Sequence, residues 1–172
     1  MNFCLQEVTK SEKEILRNLV NLCMHDYSEF DKFEVGPEGE FSYRWFGTYF
    51  EEEGRYAYLI RVDGNLGGFV MVRSNPGDED WDFQIAEFFI LRRYRRMGLG
   101  SLVSQQILNS RRGLWEISYD VRNESASYLW SSISKMYTDA QLQVDYGEKG
   151  RNRFLIQTDV AQQCAEGDAL QS

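Results

Sequence analysis

The sequence is poor in several residues whose abundance marks a particular class of protein. It has two prolines, one histidine and three cysteines among 172 residues. With 42% hydrophobic residues and so few prolines, the composition predicts a packed interior and excludes a disordered chain or a repeat array. Cys4, Cys23 and Cys164 are odd in number and lack metal-ligand spacing. We therefore expect reduced thiols, with neither a disulfide framework nor a metal site.

Long apolar runs are also missing. Apolar runs contain about four residues, as at residues 88–91, whereas a membrane-spanning helix needs roughly 20. The amino-terminal residues lack the basic and then apolar pattern of a secretory signal. These two absences predict a soluble, cytoplasmic protein without membrane association.

Positive charge is in short supply as well. The formal net charge is −8, which disfavours nucleic acid as a partner and mildly favours cationic molecules.

The length suits one compact domain, which we place at residues 1–158, followed by a tail at residues 159–172 that we expect to be frayed. The sequence is compatible with a monomer or a homodimer.

Periodicity predicts alternating strands and helices. Strands are expected at residues 3–8, 56–62, 66–72, 83–91, 114–119, 142–146 and 154–158, and helices after residue 9, after residue 98 and at 124–133. The pair Asp63-Gly64 predicts a tight hairpin turn. Residues 26–50, where aromatic residues alternate with acids, indicate short helices and loops. This order predicts an α/β fold on a mixed, partly antiparallel sheet.

The most informative segment is residues 95–101, between a predicted strand and a predicted helix. Unsatisfied N–H groups at a helix start bind phosphate oxygens, and Gly98 and Gly100 let an anion approach the backbone closely. Nearby arginines add positive charge. A dinucleotide-binding loop is disfavoured because Val103 stands where its third glycine belongs, and no Gly-Lys-Ser/Thr of a Walker A loop follows. A glycine-softened helix start without a ligand is the structural alternative.

Arg95, Gly98 and Gly100 match the loop pattern of a known family, and the segment resembles the GNAT superfamily of acetyl-CoA-dependent N-acetyltransferases. The element order over about residues 3–158 is similar too. The resemblance implies a GNAT-type mixed, mostly antiparallel sheet with splayed central strands flanked by helices. It further implies that the strand before the loop contacts the pantetheine arm through Phe88, Phe89 and Ile90. The pyrophosphate would lie on the loop, formed by Arg95, Arg96, Met97, Gly98, Leu99, Gly100 and Ser101.

A second match follows the next strand. Asn123, Ala126 and Leu129-Trp130 have the spacing of the family's Asn-x-x-Ala-x-x-aromatic-aromatic helix. The resemblance implies that Asn123 reaches the pantetheine arm. Trp130 stands where many relatives carry a tyrosine that protonates the leaving thiolate, and an indole N–H is not a usable acid. We expect Trp130 to pack on the pantetheine arm, and Tyr128 and Tyr137 to be dispensable.

Direct transfer requires a general base, because an ammonium group has no free electron pair. Glu87, on the strand before the loop, matches a position where relatives often carry a catalytic glutamate, and Glu116 on the next strand is a second candidate. Either could instead be a solvent-facing residue at a strand end. His25 titrates in a suitable range, but a lone histidine in a variable helix is more often structural.

The expected activity is transfer of acetyl from acetyl-CoA to a primary amine of a small, cationic acceptor. Acidic residues between positions 26 and 34, 51 and 53, and 78 and 82 favour a cationic amine. Polyamines, aminoglycosides, amino acids and protein amines all remain candidate acceptors. The alternative function is a non-catalytic acyl-CoA-binding sensor or interaction module with the same fold.

Overall fold

The computed structural model describes residues 1–147 and 150–159. Most of the predicted frayed tail, and Cys164 with it, therefore lies outside the described residues. The strands are β1 (Phe3–Glu7), β2 (Arg55–Val62), β3 (Asn65–Ser74), β4 (Phe83–Ile90), β5 (Gly113–Asp120), β6 (Gln141–Gln143) and β7 (Arg151–Thr158). The helices are α1 (Lys13–Asp31), α2 (Thr48–Glu51), α3 (Leu99–Leu108) and α4 (Glu124–Ser134).

All seven strands form one sheet, in the order β1-β2-β3-β4-β5-β7-β6. Every neighbouring pair is antiparallel except β4 and β5, which are parallel and connected through α3. A parallel connection needs a crossover, and α3 supplies it. The predicted mixed, mostly antiparallel sheet is confirmed, and β4 occupies its centre.

Each face of the sheet is covered by different helices. Helices α3 and α4 pack on one face through Val103, Ile107 and Ile133, in a cluster that includes Trp115 and Ile117 of β5. Helices α1 and α2 pack on the other face, in a cluster made of Leu16, Leu19, Cys23, Tyr49, Leu59, Phe69, Met71 and Phe89, among others. We call this second side the α1 face. Within the described chain, no helix is long and apolar enough to cross a membrane.

Local sequence signals placed most element boundaries correctly. Asp63 and Gly64 both have positive φ, 47° and 83°, as a two-residue turn between antiparallel strands requires. Thr9 caps the start of the first helical segment in a capping box with Glu12.

Three expectations were wrong in their bounds: α1 continues through Asp31, although short helices and loops were predicted from residue 26. β6 ends at Gln143 instead of residue 146, and β7 begins at Arg151 instead of residue 154. The longer helix includes Tyr27, which packs against the cluster on the α1 face.

A bulge in β4 changes which face its residues occupy. In the β3–β4 register Val72 pairs with Ile85 and Met71 pairs with Glu87, so Ala86 has no partner on β3. Ile85 packs under α3, whereas Phe89 packs on the α1 face. Residues two and four positions apart normally share a face, so the extra residue has reversed the alternation. Glu87 consequently points to the α1 face.

Candidate active site

The site begins where β4 and β5 separate. Only three consecutive pairs connect these strands, from Phe83↔Trp115 to Ile85↔Ile117. Beyond Ile85 the strands diverge and leave a gap beside the second half of β4. This opening matches the splayed central strands that the family resemblance implied.

Backbone groups of β4 point into this gap. The N–H of Leu91 donates to the carbonyl oxygen of Gly67 at 2.9 Å, so the backbone groups of Leu91 point to β3. The direction of backbone hydrogen bonding alternates along a strand. The backbone groups of Phe89 therefore also point to β3, and those of Phe88 and Ile90 point to the gap. Of the three residues predicted to contact pantetheine, Phe88 and Ile90 therefore offer their backbone on the open side. The backbone of Phe89 is the least suited to that contact.

The loop after β4 supplies a row of free donors. Gly98 is the N-cap of α3 with φ of 78°, and a Cβ there would meet nothing within 4 Å, so the requirement for glycine is conformational. Leu102 N–H donates to the Gly98 carbonyl at 3.2 Å. No described residue accepts a hydrogen bond from the backbone N–H groups of residues 96–101. Together with the helix dipole, these groups form an anion site.

The side chains of the loop have different surroundings. Met97 is exposed and Leu99 is fully buried under the sheet. Ser101 lies half-buried in the first turn of α3, and a Cβ on Gly100 would lie 3.5 Å from Leu129 of α4. Arg96 is exposed, has a positive φ of 62° and makes no ion pair with a described residue. Its charge is thus available to a phosphate group.

Arg95 has a different role in this structure. Its guanidinium binds the Asp26 carboxylate of α1 at 2.6 Å, and Arg92 binds the same carboxylate at 2.7 Å. The Nε of Arg95 donates to the carbonyl oxygen of Ile90 at 2.8 Å. Arg95 therefore connects the loop to α1 and to the end of β4, instead of extending toward the free N–H groups. Its direct contact with the pyrophosphate stays a prediction.

Helix α4 closes the far side of the gap. The Oδ1 of Asn123 accepts from the N–H of Ala126 at 3.0 Å, which confirms the predicted N-cap and leaves the amide Nδ2 for a ligand. Trp130 is buried and packs edge-on against Phe88, with 5.2 Å between ring centroids. Tyr128 is 79% exposed. Tyr137 donates to Asn109 at 3.2 Å beyond the far end of α3, so neither tyrosine lies at the gap.

Glu87 has uncharged polar side chains around it. Cys23 and Tyr27 of α1 lie near its carboxyl group, as do Tyr43 and Tyr49. Burial raises the pKa of Glu87 to about 7, and the Tyr43 hydroxyl and the positive charge of Arg151 limit this rise. No described cation lies within ion-pair distance of it. A carboxyl group with this pKa can accept a proton near neutral pH.

Glu116 belongs to a buried polar network. Its carboxylate binds the guanidinium of Arg153 at 2.8 Å and accepts from the amide of Gln84. Arg153 also binds Asp80 at 2.7 Å, which connects the loop between β3 and β4 to β7. Both Glu116 and Arg153 are only 3% exposed. This geometry ties the Glu116 carboxylate to its neighbours in the sheet, and the catalytic roles of Glu87 and Glu116 stay predictions.

Some residues near the site carried no local signal in the sequence. Tyr27 reaches Glu87 only because α1 is longer than predicted, and Tyr43 comes from the segment read as short helices and loops. Arg151 lies on β7, on the other side of β5 from the gap. In the sequence, an arginine in a hairpin strand looks like a solvent-facing residue. His25 is exposed and packs edge-on with Phe41, so it is not part of the site. Among the residues the structure covers, no group of three or more metal-ligating side chains occurs.

A central strand pair that splays next to a donor-rich helix start is the arrangement of a GNAT-type acetyltransferase. The model of the Acetyltransferase (GNAT) family matches residues 16–121, and the chain belongs to this family. It is thus an acyltransferase of a family that uses acetyl-CoA as co-substrate. A search of curated proteins by sequence found no significant match.

Solved structures show the same fold at low sequence identity. An acetyltransferase from Thermus thermophilus is 15% identical with a TM-score of 0.70, covering 92% of this chain and 98% of its own. The ribosomal-protein-S18-alanine N-acetyltransferase from Escherichia coli is 12% identical with a TM-score of 0.61, covering 96% and 100%. A spermidine N-acetyltransferase chimera from Vibrio cholerae is 11% identical with a TM-score of 0.62, covering 91% and 96%.

Proposed function

We propose that the protein transfers the acetyl group of acetyl-CoA directly to a primary amine of a small acceptor, with Glu87 as the general base. The observation that carries this proposal is the surroundings of Glu87. The side chain lies on β4 just beyond the point where β4 leaves β5, and burial raises its pKa to about 7. A base with a pKa near the working pH combines a useful ionised fraction with adequate basicity.

The residues of the gap fit acetyl-CoA. The free N–H groups of residues 96–101 suit the pyrophosphate, and the exposed guanidinium of Arg96 adds charge. The backbone of Phe88, the N–H of Ile90 and the Nδ2 of Asn123 are groups of the kind that pair with pantetheine amides, whereas the Ile90 carbonyl already accepts from Arg95. Trp130 is packed behind Phe88, which limits the contact it makes with the arm. When bound, acetyl-CoA supplies a thioester carbonyl as the electrophile.

The proton balance assigns a task to Glu87. Its carboxylate takes one proton from the ammonium group of the acceptor, and the freed amine nitrogen forms a bond to the thioester carbonyl carbon. The carbon–sulfur bond then breaks, the nitrogen releases a second proton to solvent, and the thiolate takes a proton from water. Because a thiol with a pKa of about 8.5 leaves as a fairly stable anion, a dedicated acid is not needed. This agrees with Trp130 at the usual tyrosine position.

The acceptor needs only one positive charge, that of the reacting ammonium group. Several acids that suggested a polycation are neutralised by arginines. Asp26 binds Arg92 and Arg95, and Asp31 and Asp120 both bind Arg122. Asp80 and Glu116 bind Arg153. Among the described residues, Glu87 is a carboxyl group near the gap without an arginine partner, and it is left for an incoming amine.

Acetyl-CoA binding to matched glycine variants tests the proposal. Gly98→Trp should weaken binding about 100-fold in calorimetry, because the indole obstructs the donors of the loop. Gly77→Trp is the control, since Gly77 also has positive φ and open space but lies at the opposite end of β4. Equal affinities for both variants would refute the phosphate loop. Acetyl-CoA binding without CoA release in the presence of any tested amine would favour the non-catalytic alternative.

A further inference from the structure

Two arginines of β7 differ in how their charge is balanced. Arg153 is buried between Asp80 and Glu116 and stacks on Tyr146, 3.6 Å from the ring centroid. Arg151 is half-buried, and its described side-chain contacts are with Ser118, whose Oγ lies 3.4 Å from Nε and 3.3 Å from Nη2. No described carboxylate lies within 4 Å of its guanidinium. Arg151 thus keeps most of its five donors for another partner.

The carboxylate opposite Arg151 in the sheet is already engaged. Asp120 stands directly opposite Arg151 in the β5–β7 register. However, Asp120 accepts from the Nε of Arg122 at 2.9 Å, and Arg122 also donates to the carbonyl oxygen of Phe30 at 2.6 Å. Arg122 therefore connects β5 to the end of α1 and holds the Asp120 carboxylate away from an ion pair with Arg151. A partly desolvated guanidinium that no described carboxylate contacts is suited to an anionic ligand.

Arg151 lies on the same face of the sheet as Glu87. Ser118, which it contacts, alternates with the core residues Ile117 and Tyr119 and so faces the α1 side, as Glu87 does. β5 lies between β7 and β4, and Ser118 is the first residue of β5 beyond the last β4–β5 pair, Ile85↔Ile117. A guanidinium held over Ser118 is therefore at the edge of the gap. The positive charge of Arg151 also acts on the carboxyl group of Glu87.

We infer that Arg151 binds a carboxylate of the acceptor while Glu87 receives the proton of its amine. The acceptor is then a small zwitterion, in which one to a few carbon atoms separate a primary amine from a carboxylate. This inference rests on the proposed function, because it uses the same cleft and the same base. The planar fork of arginine pairs with both carboxylate oxygens, which orients the amine toward Glu87. A polyamine or an amide-capped amine lacks this anchor.

The experiment compares acceptors that differ only in the carboxylate. Amino acids with the amine at the α, β or γ position are assayed beside their amides and the corresponding amines without a carboxyl group, and kcat/KM is measured from CoA release. We expect about a 100-fold preference for the carboxylate-bearing acceptors, since the guanidinium loses its partner in the others. Arg151→Gln should remove this preference, mainly through a higher KM for the carboxylate-bearing acceptors.

Arg61→Gln serves as the matched control. Arg61 is also partly buried, but it contacts Gln6 and Glu12 at the β1–β2 edge of the sheet. It should retain the full preference. Calorimetric titration of the same amino acids in the presence of CoA gives a second measurement that needs no turnover, and Arg151→Gln should weaken their binding about 100-fold.

The outcomes separate the two proposals. Turnover of carboxylate-free amines at equal or higher kcat/KM, with Arg151→Gln affecting all acceptors alike, would overturn the zwitterionic acceptor and leave acetyl transfer intact. The zwitterionic acceptor is equally overturned if no amino acid binds to the wild-type protein in calorimetry. Absence of CoA release with every amine, despite amino-acid binding that depends on Arg151, would instead count against the proposed function and support the carboxylate site.

Discussion

Glu87 and Glu116 occupy neighbouring strands and face the same side of the sheet, yet their surroundings differ in every important respect. Glu87 lies beyond the last β4–β5 pair, among tyrosines and a cysteine. Glu116 lies where the strands are still paired, opposite Gln84, and is held by Arg153 at 2.8 Å. A carboxylate without a counter-ion is free to take a proton, whereas one fixed by a guanidinium and an amide stabilises the fold. The splay of two strands thus separates a candidate base from a structural residue.

The largest expected effect comes from removing the candidate base. Glu87→Gln should lower kcat by about 10²–10⁴, because the acceptor then has to lose its proton to water. The dissociation constant for acetyl-CoA should change by less than about twofold, since Glu87 is on the opposite face of β4 from Phe88. Steady-state kinetics and calorimetry measure the two quantities.

The pH dependence of kcat/KM for the wild type and Glu87→Gln supplies the control. Wild-type kcat/KM should rise about tenfold per pH unit up to about pH 7 and then flatten, because the base must be ionised and burial raises the pKa of Glu87 to about 7. Glu87→Gln should lack this limb. A variant that keeps both the limb and the wild-type rate would remove Glu87 from the mechanism.

An intermediate effect is expected from the matched change at Glu116. Glu116→Gln removes the buried counter-charge of Arg153 but keeps the side-chain volume and one acceptor oxygen. Breaking a buried pair typically costs about 3–5 kcal/mol, and the remaining bond of Arg153 to Asp80 should reduce the loss to about 2–3 kcal/mol. Urea unfolding measures this loss. The folded variant should retain kcat within about threefold, and a drop like that of Glu87→Gln would make Glu116 part of the reaction.

Local signals predicted much of the fold but not the difference between the two glutamates. The hairpin at Asp63-Gly64, the cap at Asn123 and the helix start at Gly98 each depend on residues close in sequence, so a single chain reveals them. The bulge at Ala86 depends on pairing between β3 and β4, and it turns Glu87 to the face opposite that of Ile85. The Glu116–Arg153 pair likewise joins residues 37 positions apart. The hydrophobic periodicity of a single strand reveals neither the bulge nor the ion pair.

The smallest expected effect is a gain in stability from Glu87→Gln. A carboxyl group with a pKa raised from 4.5 to about 7 on folding favours the folded state while it is protonated. This contribution is fully present below about pH 4.5 and is lost as pH rises through about 7. At pH 8 the ionised side chain therefore costs the wild-type protein up to about 3 kcal/mol, most of which the neutral amide avoids.

Urea unfolding of the Glu87→Gln variant and the wild type at two pH values measures this gain. The variant should be more stable by about 2 kcal/mol at pH 8 and by less than about 1 kcal/mol at pH 5. Glu116→Gln should be less stable than the wild type at pH 8, so the two isosteric changes act in opposite directions. If Glu87→Gln shows no gain at pH 8, the pKa of Glu87 is not raised by burial. A limb near pH 7 in the rate profile would then report another ionising group and not this carboxyl group.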